Sequence, residues 1–201
     1  MIRCLVTDRR RLTEAGASVA DGRRLLLAQL EEAVKAGVDL IQVRERDLDA
    51  ANFAALVGDV VSLARGTRTR VVVNDRLDVA LACGAGGVHL RGDSIPALDA
   101  RRIATPDFLI GRSVHAVDDV PAADGCDYLI AGTVFPSRSK DHGAPLLGLD
   151  GLQAIVRAAR VPVLAIGGVT AERFDEIAAA GAAGVAGIGL FLPFDSTKPA
   201  P

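Results

Sequence analysis

Short, largely apolar runs alternate along this chain with longer stretches whose apolar residues recur at helical spacing. The stretch "LLLAQLEEAVKAG" is typical of the longer kind, with leucine, alanine and valine three or four positions apart. Continuous apolar runs predict strands that are buried on both faces, as in parallel sheets covered by helices. The predicted strands are Ile2–Val6, Leu40–Val43, Val71–Val73, Val88–Leu90, Leu109–Val114, Tyr128–Ala131, Val163–Ile166 and Val185–Ile188.

A glycine precedes every second strand of this series. It ends the predicted helix in "AGVDLIQV", "CGAGGVHL", "DGCDYLIA" and "AGAAGVAGI", because glycine accepts the positive φ found just past a helix. Eight strand–helix units of about 25 residues favour a closed α/β barrel, (β/α)8, over an open doubly wound sheet. The open sheet is the alternative, although its G-x-G-x-x-G fingerprint is missing from "VTDRRRLTEAG" after the first strand.

The end of the chain departs from the repeat. After "GIGLF" it reads "LPFDSTKPAP", and proline breaks a helix interior. We therefore expect a single barrel domain over 1–201, with an irregular tail over 191–201 and a truncated or missing eighth helix. Apolar surface left uncovered near the last and first strands would favour a homo-oligomer.

Composition and charge narrow the class of partner. Half of the residues are apolar and 3% are aromatic, which is typical of an α/β core of small and branched side chains. A formal charge of -2 offers no basic surface, so we expect neither nucleic acid nor a membrane as partner. Three widely spaced cysteines without a CxxC motif indicate reduced thiols and a cytoplasmic protein.

Polar residues cluster where the predicted strands end, which is where active sites lie in such barrels. Gln42, Arg44 and Arg46 alternate at the end of the second strand, so all three side chains can face the barrel mouth. Ordinary loop polarity explains this alternation less well than a binding site does. Asn74 follows the third strand, and Ser113 lies near the end of the fifth.

Glycine-rich loops follow the last two strands. In "AIGGVT" and "GVAGIGLF", backbone N–H groups of Gly168 and Gly189 can converge on an anion. Ser137, Ser139 and Lys140 follow the sixth strand and face the same mouth. The sequence therefore predicts a phosphate site, with simple turn chemistry as the alternative.

The three histidines have different surroundings. His89 lies inside the fourth strand and is expected to be a hydrogen-bonded structural residue, whereas His142 lies in a polar loop. His115 closes the fifth strand at the rim, where a side chain titrating near neutral pH suits acid–base chemistry. A packed core histidine is the alternative. No metal-ligand spacing joins the histidines to one another or to the cysteines.

Seven motifs in order resemble one known family. The chain is similar, from residue 3 to about 190, to the thiamine phosphate synthase/thiazole tautomerase family of TIM barrels in thiamine biosynthesis. The motifs are "CLVTDRR", "IQVRER", "VVNDRLDVALACGAGGVHL", "IGRSVHA", "YLIAGTVFPSRSK", "PVLAIGGVT" and "GAAGVAGIG".

The resemblance implies one of two activities. Synthases of the family join hydroxymethylpyrimidine diphosphate to a thiazole phosphate, release pyrophosphate and bind Mg²⁺ through two aspartates. The first corresponds to Asp75, but in "HLRGDSIP" Ser94 stands where the second belongs, and Arg46 replaces a phosphate-binding lysine. A hydroxyl is a weaker ligand than a carboxylate for this hard cation. The tautomerase branch shares "RER" and "GRSVH" and lacks the second aspartate.

We therefore expect a thiazole tautomerase that aromatises a thiazole carboxylate phosphate without a cofactor, with His115 moving the proton. A synthase, with Mg²⁺ at Asp75, and a non-catalytic binder of phosphorylated thiazole are the alternatives. The substrate-binding residues that the strand ends and the resemblance together imply are Gln42, Arg44, Arg46, Asn74, Ser113, Ser137, Arg138, Ser139, Lys140, Gly168, Ile188 and Gly189.

Overall fold

Eight parallel strands close into one barrel in a computed structural model that describes residues 1–13, 18–137 and 145–191. The order follows the chain, and β1 pairs with β8 to complete the ring. The barrel confirms the predicted fold class, and each strand begins and ends within one residue of its predicted run. The strands are β1 (Ile2–Val6), β2 (Leu40–Val43), β3 (Arg70–Asn74), β4 (Gly87–Leu90), β5 (Leu109–Val114), β6 (Tyr128–Gly132), β7 (Val163–Ile166) and β8 (Gly184–Gly187).

Helices cover the outside of the barrel between most strands. One strand connection departs from the expected repeat, because β5 and β6 are joined by two short 3-10 helices, Val117–Asp119 and Pro121–Ala123. Here the Asp119 carboxylate accepts the N–H groups of His115 and Ala116 at 2.6 and 3.0 Å, which closes a tight turn. The α-helices are α1 (Val19–Lys35), α2 (Ala50–Ala64), α3 (Leu77–Ala82), α4 (Ala97–Ile103), α5 (Gly148–Ala158) and α6 (Phe174–Ala179).

The four glycines predicted to end helices do so. Gly37, Gly84, Gly125 and Gly181 have φ values of 70°, 65°, 85° and 88°. Side chains with a Cβ rarely adopt this left-handed region, so glycine there allows the chain to turn from helix to strand. The sequence predicts a truncated or missing eighth helix and an irregular tail over 191–201, and the residues after 191 lie outside the described part.

Two apolar layers form the core, one on each face of the strands. Side chains that point inward fill the barrel and include Val72, Leu164 and Ala186. Those that point outward face the helices, for example Ile41 and Val73, which belong to the same apolar cluster as Leu56 of α2. The alternation follows from the twofold period of a strand. It leaves the carboxyl ends of the strands as the place where polar side chains gather.

The surface of the described residues bears on the remaining expectations. Ile95, Leu98 and Ile103 are exposed on or beside α4, across the barrel from β8 and β1, where the sequence predicted an uncovered apolar face. A homo-oligomer stays a prediction.

The cysteines and the helices bear on two further expectations. Cys4 and Cys126 are buried, Cys83 is partly exposed, and all three are free thiols. Across the described ranges, no helix has the length and apolar character needed to cross a membrane.

Candidate active site

A hydrogen-bonded pair joins the ends of β2 and β3 at the barrel mouth. Gln42 is buried, and its Nε2 donates to Oδ1 of Asn74 at 3.0 Å. The backbone N–H of Arg44 donates to the buried hydroxyl of Thr7 at 2.8 Å, which links the ends of β1 and β2. These bonds fix the direction in which Arg44 leaves the strand.

Arg44 and Arg46 form a cationic pair at this rim. Burial is the main cause that lowers the pKa of Arg44, and the charge of Arg46 is the next. Among the described residues, neither guanidinium has a carboxylate within ion-pair distance. Two neighbouring cations without a counter-ion favour an anionic ligand, and arginine suits carboxylate or phosphate groups.

The acid between these two arginines is held elsewhere, an arrangement that the sequence reasoning missed. Glu45 is buried and forms an ion pair with Nη1 of Arg9 at 2.8 Å. Arg9 also holds Asp47 at 2.7 Å and is itself buried. Because Arg9 neutralises Glu45 on the other side of the strand, the charges of Arg44 and Arg46 remain available at the mouth.

Asp75 follows β3 with φ of 63°, which is unusual for a residue with a side chain. The Ser94 hydroxyl donates to one of its carboxylate oxygens, and Nη1 of Arg91 lies 3.6 Å from the other. Arg91 also binds Asp93, so its guanidinium contacts both acids. The contact places Ser94 beside Asp75, where the resemblance expects a second aspartate in synthases.

The donors around Asp75 decide which kind of metal site is possible. In the described part of the chain, no three side chains of histidine, cysteine, aspartate or glutamate converge as a metal site would require. Mg²⁺ is commonly held by one or two carboxylates together with substrate phosphates. One carboxylate and one hydroxyl therefore fit Mg²⁺ that arrives on a diphosphate, and do not fit an ion held by protein alone.

His115 stands exposed at the rim after β5. Its Nδ1 lies in a short hydrogen bond with the carbonyl oxygen of Gly132. A carbonyl only accepts, so Nδ1 carries the proton and the neutral ring has its lone pair on Nε2. Its partners in the described residues are Gly132 and Asp119, which leaves Nε2 open as a base.

His89 lies inside the barrel, as the sequence predicted for a structural histidine. Its Nε2 is 2.9 Å from Oγ of Ser113, and its Nδ1 is 3.2 Å from the hydroxyl of Tyr128. Burial, and secondarily the charge of Arg112, lowers the pKa of His89 to about 3. The ring is therefore neutral at pH 7. Sequence reasoning missed Tyr128, which it treated only as the first residue of a strand.

The glycine-rich loops after β7 and β8 lie where the sequence predicted a phosphate site. Gly167 and Gly168 have φ values of 95° and 61°, and a Cβ at Gly168 would collide with the carbonyl oxygen of Pro136 in the loop after β6. The hydrogen bonds of the described residues do not use the backbone N–H of Gly168 or Gly189. Two free donors remain available for an anion.

The structure describes two of the other predicted phosphate ligands. Ser137 is half-buried at the end of the described loop, and Ile188 is half-buried after β8. The remaining predicted residues of the loop after β6, and the third histidine, lie outside the described residues. They are Arg138, Ser139, Lys140 and His142.

Comparisons with known proteins agree with the family that the motifs suggested. The family model described as thiamine monophosphate synthase matches residues 11–191. Thiamine-phosphate synthase of Roseiflexus castenholzii is 39% identical over 190 residues, which cover 94% of this chain and 79% of the relative. That of Methanoculleus marisnigri is 41% identical over 156 residues, covering 77% and 74%.

A solved structure of similar fold and sequence also carries a name from this family. Thiamine phosphate pyrophosphorylase from Pyrococcus furiosus superimposes with a TM-score of 0.78 at 33% identity, covering 94% of this chain and 85% of that one. The names of these relatives support the synthase alternative over the tautomerase that the sequence analysis favoured. They do not distinguish the tautomerase branch within the family.

Proposed function

Because this chain belongs to the thiamine monophosphate synthase family, we propose that it acts in thiamine biosynthesis as a thiamine-phosphate synthase. It joins hydroxymethylpyrimidine diphosphate to a thiazole phosphate and releases pyrophosphate. The observation that carries the proposal is the pair Arg44 and Arg46 at the mouth, for which the described residues offer no carboxylate within ion-pair distance. A diphosphate leaving group needs such charge, since negative charge develops on it as its bond to carbon breaks.

The residues divide the substrates between two sides of the mouth. Arg44 and Arg46 bind the diphosphate after β2. Asp75, with Ser94, is the group that would hold Mg²⁺, and the ion would supply further neutralisation of the leaving group. The backbone N–H groups of Gly168 and Gly189 bind the thiazole phosphate. By the family resemblance, Ser137, Arg138, Ser139 and Ile188 add to this binding. Lys140 belongs to the same loop after β6 and is proposed from that position.

Residues between the two anion sites hold the reacting groups. The Gln42 amide is oriented by Asn74 at 3.0 Å, and Ser113 presents its hydroxyl from β5. These polar groups lie at the carboxyl ends of strands whose inward-facing residues below them are apolar. They position the two rings so that the new bond forms between groups already in contact.

A second candidate function, the thiazole tautomerase, is favoured by the geometry of His115. With Nδ1 bound to the Gly132 carbonyl, Nε2 takes a proton from the ring carbon and returns one to the exocyclic carbon. Arg44 and Arg46 then bind the substrate carboxylate. The single carboxylate at Asp75 is consistent with this reaction, because aromatisation supplies the driving force and needs no metal.

One assay separates the candidates. Purified protein is given hydroxymethylpyrimidine diphosphate with thiazole phosphate, or the thiazole carboxylate phosphate alone, with Mg²⁺ or with a chelator. Pyrophosphate release that requires Mg²⁺ supports the synthase. Aromatisation that persists with chelator, without pyrophosphate release, rejects it in favour of the tautomerase. Binding of either phosphate without turnover identifies a non-catalytic binder and rejects both.

A further inference from the structure

Three neighbouring strands bring His89, Gly111 and Tyr128 to one level inside the barrel. The register pairs His89 with Gly111 and Gly111 with Tyr128. A Cβ on Gly111 would collide with Cζ of Tyr128, so glycine on the middle strand is what lets the two outer side chains meet. Ser113 lies two residues further along β5, on the same face and nearer the mouth.

Within the described ranges, the hydroxyl of Tyr128 has a single hydrogen-bond partner. The hydroxyl is buried, and its contact in the described residues is Nδ1 of His89 at 3.2 Å. If Nδ1 carried a proton, the hydroxyl would accept and its own hydrogen would be a buried donor without a partner. That costs about 1–3 kcal/mol. The Tyr128 hydroxyl therefore donates to Nδ1.

The hydrogen bond from Tyr128 determines which ring nitrogen of His89 carries the proton. A neutral imidazole has one donor nitrogen and one acceptor nitrogen, so His89 with Nδ1 accepting carries its proton on Nε2. Burial keeps the pKa of His89 far below 7 and the ring neutral. The Nε2–H then donates to Oγ of Ser113 at 2.9 Å. The hydroxyl of Ser113, already accepting from the ring, has its own hydrogen left for the mouth.

We propose that Tyr128 and His89 are positioning residues that fix Ser113 as a hydrogen-bond donor to the substrate. The site thereby selects, opposite Ser113, a substrate atom with a lone pair and no hydrogen, such as a phosphate oxygen, a carboxylate oxygen or an unprotonated ring nitrogen. The inference rests on the proposed function only in taking the substrate to bind at this mouth.

The proton position is tested first, without substrate. Two-bond ¹H–¹⁵N spectra of protein labelled with ¹⁵N-histidine at pH 7 report which ring nitrogen is protonated. His115→Asn and His142→Asn variants identify the His89 signals by elimination. We expect the His89 proton on Nε2. A proton on Nδ1 would overturn the proposal, whatever reaction the enzyme catalyses.

The consequence for the substrate is tested by a double-mutant cycle. Tyr128→Phe removes only the donor hydroxyl, and Ser113→Ala removes the hydroxyl that it directs. We expect Tyr128→Phe to lower kcat/KM by about tenfold in the natural background and by less than about twofold in the Ser113→Ala background. Equal losses in both backgrounds would mean that Tyr128 acts through the fold alone, and would reject the proposal.

The two tests separate this inference from the proposed function. If no turnover is found with any substrate, the proposed function fails, and the cycle is measured instead on the affinity for hydroxymethylpyrimidine diphosphate and for thiazole phosphate, which carry the ring atoms that Ser113 would contact. Coupling between Tyr128 and Ser113 in that affinity supports the inference. Its absence for both anions, with a correctly folded protein, rejects it.

Discussion

Single residues at this mouth owe their chemistry to their surroundings more than to their type. His89 and His115 are both histidines near the ends of adjacent strands. One is buried with both ring nitrogens engaged, and its pKa is lowered to about 3. The other is exposed with one nitrogen tied to a carbonyl. Only the exposed ring presents a nitrogen to a ligand at the mouth.

His115→Asn tests the acid–base role. Asparagine keeps a hydrogen-bond donor near the Gly132 carbonyl but cannot exchange a proton near pH 7. We expect aromatisation of the thiazole carboxylate phosphate to fall by about 10²–10⁴-fold, the usual contribution of a general base. Pyrophosphate release from the synthase substrates should fall by less than about tenfold, because that reaction needs no base at this position.

The melting temperature is the control for that variant. Because His115 is exposed, the substitution should change the melting temperature by less than about 2 °C. A large drop in melting temperature with activity lost in proportion would contradict the catalytic role and return His115 to a packing role.

Buried His89 makes stability depend on pH. In the unfolded chain His89 has a pKa of 6.5, and in the folded protein its pKa is about 3. Between these two pH values the unfolded state binds a proton that the folded state does not. Stability from this residue is therefore complete above pH 6.5 and is lost as the pH falls towards 3. By pH 5 the loss is roughly 2 kcal/mol. Urea unfolding of the natural chain and of His89→Gln at several pH values measures it as a difference. Parallel pH profiles would contradict the buried neutral ring.

Ser94→Asp tests the metal preference of Asp75. The hydroxyl of Ser94 touches the Asp75 carboxylate, so a second carboxylate at this position would stand close enough to share a cation. We expect calorimetry to show Mg²⁺ affinity rising by about tenfold or more over the natural chain. Ser94→Asn, which adds a neutral group of the same shape, should not raise it. Tight Mg²⁺ binding to the unsubstituted protein without diphosphate would contradict the account of the donor set.

At the scale of elements, the loop between β4 and α4 is held by a buried side chain of the next strand. Arg112 on β5 is 5% exposed. It donates to the carbonyl oxygens of Gly92 at 2.7 Å and Ile95 at 3.0 Å, with a longer bond of 3.4 Å to Ser94. This guanidinium therefore orients the loop that brings Arg91 and Ser94 to Asp75.

Arg112→Met tests that support. Methionine fills similar space and removes every donor, so the carbonyl groups of Gly92, Ser94 and Ile95 lose their part-buried hydrogen bonds to Arg112. We expect unfolding free energy to fall by about 2 kcal/mol and amide hydrogen exchange over residues 91–96 to accelerate. Arg102→Met, on the exposed face of α4, is the matched control and should change neither. Unaltered exchange in the Arg112 variant would show that the loop is held by other contacts.

The strands could be predicted from the sequence, whereas one connection and two long-range side-chain contacts could not. The limits of β5, Leu109–Val114, were predicted to the residue, because a buried parallel strand is written in the sequence as an apolar run. The turns of residues 117–123 were not predicted, since the Asp119 carboxylate that closes them competes locally with a helix. The links of Arg9 with Glu45 and of His89 with Tyr128 were also missed. Partners 36 and 39 residues apart meet through strand register, which no local pattern encodes.

At the scale of the whole molecule, anion binding and folding stability are linked. A ligand that binds only the folded barrel raises its stability by RT ln(1 + [L]/Kd), which is about 2.7 kcal/mol at a hundred times Kd. The site therefore reports its occupancy through the melting temperature of the entire chain.

Inorganic pyrophosphate provides this test. We expect it to raise the melting temperature of the natural chain in a saturable way. Arg44→Gln should weaken the effect by about tenfold in concentration, because an arginine–phosphate bond is charge-assisted. Arg102→Gln removes the same charge from a remote exposed position and should leave the titration unchanged. Equal weakening in both variants would mean that pyrophosphate acts through general electrostatics and not at the mouth.

The pairing of β1 with β8 has a consequence for synthesis of the chain. Ile2 pairs with Gly184, and Leu5 pairs with Gly187. The barrel therefore cannot close until β8, the last of the eight strands to be synthesised, is available to pair with β1. While the chain is still growing, β1 presents a row of unpaired backbone groups to whatever strand comes near. Contacts of such long sequence separation also form slowly. Newly made copies are therefore most exposed to pairing with one another in the interval before β8 leaves the ribosome, when a chaperone would have the greatest effect on yield.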